Sequence, residues 1–365
     1  MISESHAWLA FSLMPDIGYK RMRHIEHLFG SLQGAFHASI AEMRDAGLDH
    51  RLANTILAAQ DGKALQAALK KIEALDVTLL PFIDDRYPAL LKQIPDPPPV
   101  LYVRGALSPD DALALAVIGT RRATSYGKDA ALYFARHLAQ ARVTVVSGLA
   151  QGIDAVAHTA ALDNNGRTIA VLGTGVDVIY PREHARLASR IIEHGALLSE
   201  FPMGTQPEPF NFPRRNRIIS GISLGVLIAE APVKSGALIT AATAAEQGRD
   251  VFAVPGNIFS ASAAGGNRLI QDGAKLVMTI DDILSELNVA HEHVQTRQIA
   301  NDISPMSDDE RAIIALLSHE PLHVDEICRT SGLPIHVITG TLTMLELKGL
   351  ARMIGHMQYS LSVDR

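Results

Sequence analysis

Three arginines and an asparagine stand together in the run FPMGTQPEPFNFPRRNRIISG, Phe201 to Gly221, as Arg214, Arg215, Asn216 and Arg217, with Phe210 and Phe212 just ahead of them. Guanidinium forks match phosphate oxygens, and the first backbone N–H groups of a helix point at an anion placed before it. Pro202, Pro207, Pro209 and Pro213 stiffen the approach, so the sequence predicts a loop that meets a helix starting near Arg215. Aromatic rings beside a row of donors suit single-stranded nucleic acid, whose bases stack on any flat face. The competing reading pairs the arginines with Glu200 and Glu208 and places the phenylalanines in the core.

Other residue groups could face the same ligand. Glycine-rich loops follow four apolar runs: Gly119-Thr120-Arg121-Arg122, Ser147 to Gly152 with Gly148 between them, Gly173-Thr174-Gly175, and Lys234-Ser235-Gly236. Each could bring backbone amides to a phosphate, or could be no more than a tight turn. Tyr180-Pro181-Arg182 adds a ring and a cation. None of the loops has G-x-G-x-x-G spacing and no G-x-x-x-x-G-K-[ST] occurs, so neither a nicotinamide cofactor nor ATP hydrolysis is expected, and no cofactor is assigned. Asp154 and His158 stand four apart on a helical pattern, as an acid–base pair, two metal ligands or a structural hydrogen bond; no third ligand is evident, so no metal is expected. Ser147 and Ser235 lack a nucleophile elbow, and no catalytic residue is assigned.

The elements that must hold these loops are legible as patterns. Apolar, β-branched runs at Val77–Phe82, Leu113–Ile118, Val143–Val146, Thr168–Leu172, Ala196–Leu198, Gly225–Ala229, Val251–Val254 and Lys275–Met278 predict strands. Between the later ones lie helical segments at Asp129–Ala141, Ala155–Leu162, His184–Glu193 and Ala237–Gln247. Alternation of this kind predicts an α/β, Rossmann-like, doubly wound and mostly parallel sheet whose ligand sits beyond the strands' carboxyl ends. Residues 1–80 read as a small helical domain of SAM or helix-hairpin-helix type, although Asp16 stands where such a turn would carry glycine. Pro88 and Pro95 to Pro99 mark a connection into the 81–287 domain, residues 288–306 read as a linker, and 307–365 as a winged helix. That last segment holds eight acidic against five basic residues, and the second helix of its helix-turn-helix, Pro334 to Lys348, offers only His336 and Lys348 as donors, which favours protein contact over reading a duplex.

Composition narrows the partners. At 365 residues with 47% apolar content the chain should fold as two or three globular domains, and its net charge of −6 confines any nucleic-acid site to a local patch. The single cysteine, Cys328, excludes an intramolecular disulfide. No apolar run is long enough for a membrane helix and the first residues lack a secretory pattern, so a cytoplasmic protein without membrane partners is expected.

In order and spacing, VIGTRRATSYG, VVSGLAQGIDAVAHTAAL, IAVLGTGVDVIYPREH, LLSEFPMGTQPEPFNFPRRNRIISG and EAPVKSGALITAATAAEQGRDVFAVPGN resemble the DNA-processing protein A family, also called Smf. The resemblance implies a non-enzymatic, homodimeric protein that binds incoming single-stranded DNA, including DNA coated by single-strand-binding protein, and loads RecA onto it in natural transformation. It places the family's G-[ST]-R loop on Gly119, Thr120 and Arg121 and its F-P-x-R-N-R run on Phe212 to Arg217. DNA contacts are thus expected at those three loop residues, Gly148, Gly152, Arg182, Phe212, Arg214, Asn216, Arg217, Ser235 and Gly236, and a dimer contact at Arg268, Leu269 and Ile270. Two alternatives stay open: a nucleotide-binding enzyme like the phosphoribohydrolases, whose P-G-G-x-G-T-x-x-E loop finds only the partial parallel KSGALITA, and a winged-helix transcriptional regulator.

Overall fold

The computed structural model describes residues 2–14, 17–287, 306–318, 320–348, 350–355 and 357–361. The chain divides into two units, Met1–Ala290 and His291–Arg365. The expected linker at 288–306 lies outside the described residues except for Met306. Among the described residues no helix is long and apolar enough to cross a membrane.

Nine strands form the sheet of the first unit: β1 (Val77–Pro81), β2 (Val100–Gly105), β3 (Ala114–Gly119), β4 (Thr144–Ser147), β5 (Thr168–Val171), β6 (Ala196–Ser199), β7 (Gly225–Glu230), β8 (Asp250–Ala253) and β9 (Lys275–Leu276). Their order across the sheet is β1-β2-β6-β5-β4-β3-β7-β8-β9. Every pair from β6 to β9 is parallel. The order reverses between β3 and β7, so the predicted doubly wound sheet is present and its switch point lies between those strands.

Burial explains why these runs are strands without polar alternation. All six residues of β7 are buried. Leu115 and Val117 of β3 pack with Phe134 and Ala157 from the helices Ser125–Gln140 and Ile153–Asp163 on one face, while Ala116 and Ile118 pack with Ile218 and Ala241 from the helices Asn211–Gly221 and Gly236–Glu246 on the other. A strand covered on both faces must be apolar throughout.

Strand β2 departs from the sequence expectation, in which the prolines up to Pro99 mark a connection and no strand follows before Leu113. It pairs antiparallel with both β1 and β6. Its alternation serves two cores, since Val100 and Tyr102 join the N-terminal helices and Leu101 and Val103 join the main sheet. Among the described residues six helices, from Glu4–Ser12 to Lys63–Ala74, make that N-terminal layer around the fully buried Trp8 and Phe11. Pro15 and Asp16, which decide the likeness to a helix-hairpin-helix turn, lie outside the described residues.

The second unit has the helices Asp308–Ile314, Val324–Ser331 and Ile335–Leu347 with β10 (Leu322–His323), β11 (Ala351–Gly355) and β12 (Gln358–Leu361) in the order β10-β12-β11, the expected winged helix. Ser307 and Glu310 form a capping box at its start, and Gly332 ends its second helix at φ 69°. Lys348 is engaged within the unit, its Nζ donating to both oxygens of Glu310 at 2.7 and 2.9 Å. One of the two donors expected on the motif's second helix is therefore already bound to a carboxylate.

Candidate nucleic-acid interface

At the switch point the carboxyl ends of the strands open into a cleft of about 630 Å³. Gly119, Thr120, Arg121 and Arg122 line it from the loop after β3, and Lys234, Ser235 and Gly236 from the segment after β7. Tyr180 closes one side, and Phe212, Arg215 and Asn216 descend from the helix Asn211–Gly221. Sequence-distant loops meet here because parallel strands deliver all their carboxyl ends to one edge.

The mouth of the cleft is a stack of flat groups. Arg121 is exposed and its Cζ lies 5.4 Å from the centroid of the Phe212 ring. Phe212 in turn lies 5.7 Å from Tyr180 with the rings tilted by 42°. Tyr180 is 43% exposed, so this ring has a face open to a ligand. Arg121 has no ion-pair partner among the described residues, which leaves its charge for an anion. Ser235 accepts the N–H of Ala237 and caps the helix Gly236–Glu246, so that helix presents its positive end to the cleft beside Lys234.

The arginine-rich helix starts at Asn211, four residues earlier than expected. Pro213 is its third residue; a proline in the first turn removes only an N–H that has no intrahelical partner. The arginines therefore sit in its second turn and divide between faces. Arg215 points into the protein, only 4% exposed. Its Nη1 donates to the carbonyls of Gly148 (2.7 Å) and Val171, and its Nε to Oδ1 of Asn216 at 3.2 Å. Asp154 opposes it, and burial brings the arginine down to about 10, still charged at neutral pH. Arg214 and Arg217 do not line the cleft. Both reach Oε2 of Glu200, at 3.0 and 2.5 Å, and Arg217 also approaches Asp96 at 3.7 Å. The pairing with Glu200 weighed from the sequence is thus present, while Arg214 keeps 56% of its side chain exposed and Arg217 only 15%.

Two glycines of the loop after β4 answer to the protein's own packing rather than to an open cleft. Gly148 is buried, its N–H donates to Oδ2 of Asp154 at 3.1 Å, and a Cβ on it would stand 2.6 Å from Nη2 of Arg215. Gly152 has φ 79°, and a Cβ there would overlap the carbonyl of Thr120. Gly148 thus leaves room for the Arg215 guanidinium, and Gly152 lets the β4 loop pass under the Arg121 loop. Arg182 is exposed in the short turn after Tyr180, outside the cleft lining. In the helix Ala264–Gln271, Arg268 pairs with Asp272 at 3.1 Å, while Leu269 and Ile270 are half-buried against the main core.

Asp154 and His158 do not bond to each other. Asp154 holds the N–H groups of Gly148 and Ala150, and burial raises its carboxyl above the usual range. His158 is fully buried with Nδ1 2.6 Å from the Thr168 hydroxyl, which donates to the carbonyl of Val145. Nδ1 therefore carries the proton and the ring is neutral. No group of three or more metal-ligating side chains occurs among the described residues.

A pH dependence follows. Burial, helped by His184 and Arg215, pushes His158 down from 6.5 to about 3. Between those values the unfolded chain binds a proton that the native ring refuses, so stability falls as pH falls. Each unit across that window should cost about 1.4 kcal/mol from this residue. Urea midpoints compared at pH 6 and 5 should show that loss, and a His158→Phe variant that folds should lack this part; equal slopes in both proteins would discard the assignment.

Glu230 is a residue of the site that the sequence did not single out. It terminates β7 beside the Arg121 loop, and its carboxylate bonds Thr124, 106 residues away in the chain. No local pattern announces such a contact.

Comparison with known proteins gives a consistent picture. The profile of the family described as DNA recombination-mediator protein A matches residues 78–288, and that of the DprA winged helix domain matches 300–354. Protein Smf of Escherichia coli is 40% identical over 351 residues, which are 95% of this chain and 93% of that protein. The crystal structure of DNA processing protein A from Streptococcus pneumoniae superposes with a TM-score of 0.65 at 35% identity, covering 78% of this chain and 98% of that one. DNA processing protein A from Helicobacter pylori, whose structure bears on a single-stranded DNA binding mode, gives 0.53 at 30% identity over 59% of this chain and 96% of its own.

Proposed function

The chain belongs to the DNA recombination-mediator protein A family, and from that membership we propose that it binds single-stranded DNA without sequence choice, protects it and loads RecA onto it. The observation that carries this reading is the guanidinium of Arg121 set against the rings of Phe212 and Tyr180 at the mouth of an open cleft. Phosphates gain from the cation, from the hydroxyls of Thr120 and Ser235 and from the amide of Gly236, with Gly119 keeping the strand end close to the loop; bases gain from rings that accept any of the four. Arg182 and Arg214, exposed outside the lining, extend the donor row, with Asn216 inside it. Gly148, Gly152 and Arg217 serve the same surface by fixing its backbone and by holding Glu200. The strand binding described for the Helicobacter pylori relative supports this reading.

The proposed partners are RecA, DNA coated by single-strand-binding protein, and a second copy of the chain, with a cytoplasmic role beside RecA and no catalytic turnover. The proposed dimer contact is Arg268, Leu269 and Ile270. Leu276 and Met278, 41% and 71% exposed in the segment that follows, add apolar surface to it.

A salt titration of binding to fluorescent oligothymidine, competed with duplex of equal length, tests the proposal. Strong preference for the single strand is expected, with log affinity falling by about 0.7 for each phosphate contact per decade of salt. Equal affinity for the duplex, or no binding at low salt, would discard it.

A further inference from the structure

In a Rossmann-like fold the helix after the first parallel strand, beside the switch point, offers its first N–H groups to a nucleotide phosphate. Here that helix is Ser125–Gln140, and the protein fills the position with an anion of its own. Glu230 is only 4% exposed. Its Oε2 accepts the N–H of Thr124 at 2.8 Å and its Oε1 accepts the Thr124 hydroxyl at 2.6 Å. The same hydroxyl caps the helix by accepting the N–H of Gly127 at 3.2 Å. A Cβ on Gly127 would overlap Oε2, so glycine is what allows the carboxylate to lie against the helix. The pairing of β3 with β7 shifts register between Ile118 and Gly119, opposite Glu230, and a shift of this kind re-aims a side chain. In the next loop Asp154 does the same, holding the N–H groups of Gly148 and Ala150.

We infer that Glu230 is a specificity-determining residue: its carboxylate occupies the anion position of the fold, so inorganic phosphate or a free nucleotide finds no seat there. The outer donors, Arg121, Lys234 and the start of the helix Gly236–Glu246, stay available to a ligand long enough to span them. This assignment concerns small anions and stands apart from the proposed strand binding.

Thermal melts in inorganic phosphate, ADP and chloride at equal ionic strength test it. The wild type should respond to phosphate and ADP no more than to chloride. Glu230→Ala, which empties the position, should bind inorganic phosphate about tenfold more tightly than the wild type. Glu230→Asp, which draws the carboxylate back by one methylene, should fall between the two and gives the reading if the alanine variant does not fold. A wild type stabilised by phosphate or ADP beyond chloride would overturn the inference, as would a folded variant that stays indifferent to both. Oligothymidine binding by the same samples reports on the proposed function separately.

Discussion

Replacing Arg215 with methionine should lower stability by about 3–5 kcal/mol, because the change strips two buried carbonyls of a charged donor and takes the nearby positive charge from a buried carboxylate. Asp154 would keep its hydrogen bonds, among them the N–H groups of Gly148 and Ala150, but lose the nearby positive charge, and the carbonyls of Gly148 and Val171 would lose a charged donor. For a unit of this size the melting temperature should fall by roughly 10 °C. The deficit should depend on pH in a stated direction. Burial already raises the Asp154 carboxyl and Arg215 opposes that rise, so removing the arginine lifts it further. A carboxyl raised above its unfolded value favours the native state below the unfolded value and loses that advantage as pH climbs toward the folded one. The variant should thus be weakest on the alkaline side, and Arg215→Met with Asp154→Asn should recover part of the loss, since replacing both partners removes the unpaired charge. Chemical denaturation at two pH values decides this. A single variant within about 1 kcal/mol of the wild type would show that Arg215 is not the bolt of the cleft.

That role was not legible in the arginine run. Four adjacent residues, Arg214 to Arg217, look alike as donors, and only the phase of the helix separates a buried guanidinium from two that hold Glu200. Pro213 obscured the phase, because a proline reads as a stop while the first helical turn accepts it. The parallel strands were legible for the opposite reason: runs such as Val226 to Ile228 are buried on both faces and carry no competing period. Strand β2 escaped since Val100 to Val103 divides its side chains between two cores and follows four prolines in five residues, Pro95 to Pro99. The loops of the cleft were found from their glycines, but the glycines themselves fall into two kinds. Gly148 and Gly152 leave room for Arg215 and for the Thr120 carbonyl, whereas Gly236 has open space around it. Of the carboxylates that shape the site, Glu200 lies 14 residues from Arg214 in the same run and is legible as its partner, whereas Glu230 acts across 106 residues, a distance at which a single sequence carries no pairing signal.

Phe212→Ala should weaken binding to oligothymidine by about 1–3 kcal/mol, the range for losing one base–aromatic stack, and by a similar amount for mixed sequences. Arg121→Ala should act differently. Loss of one phosphate contact lowers the salt slope by about 0.7 to 1 unit, while Phe212→Ala leaves the slope nearly unchanged. The double variant separates neighbours from independent sites. With the guanidinium 5.4 Å from the ring centroid, Phe212 is the platform that orients Arg121, so removing the ring already degrades part of what the arginine supplies. The combined loss should fall short of the sum by about 0.5–1 kcal/mol. Strict additivity would mean that the two groups meet different parts of the strand, and an unchanged slope in Arg121→Ala would take its phosphate contact away. Tyr180→Phe keeps the ring that faces Phe212 and loses only a hydroxyl, so affinity near wild type in that variant assigns Tyr180 to stacking; a loss as large as that of Phe212→Ala would assign it to hydrogen bonding instead.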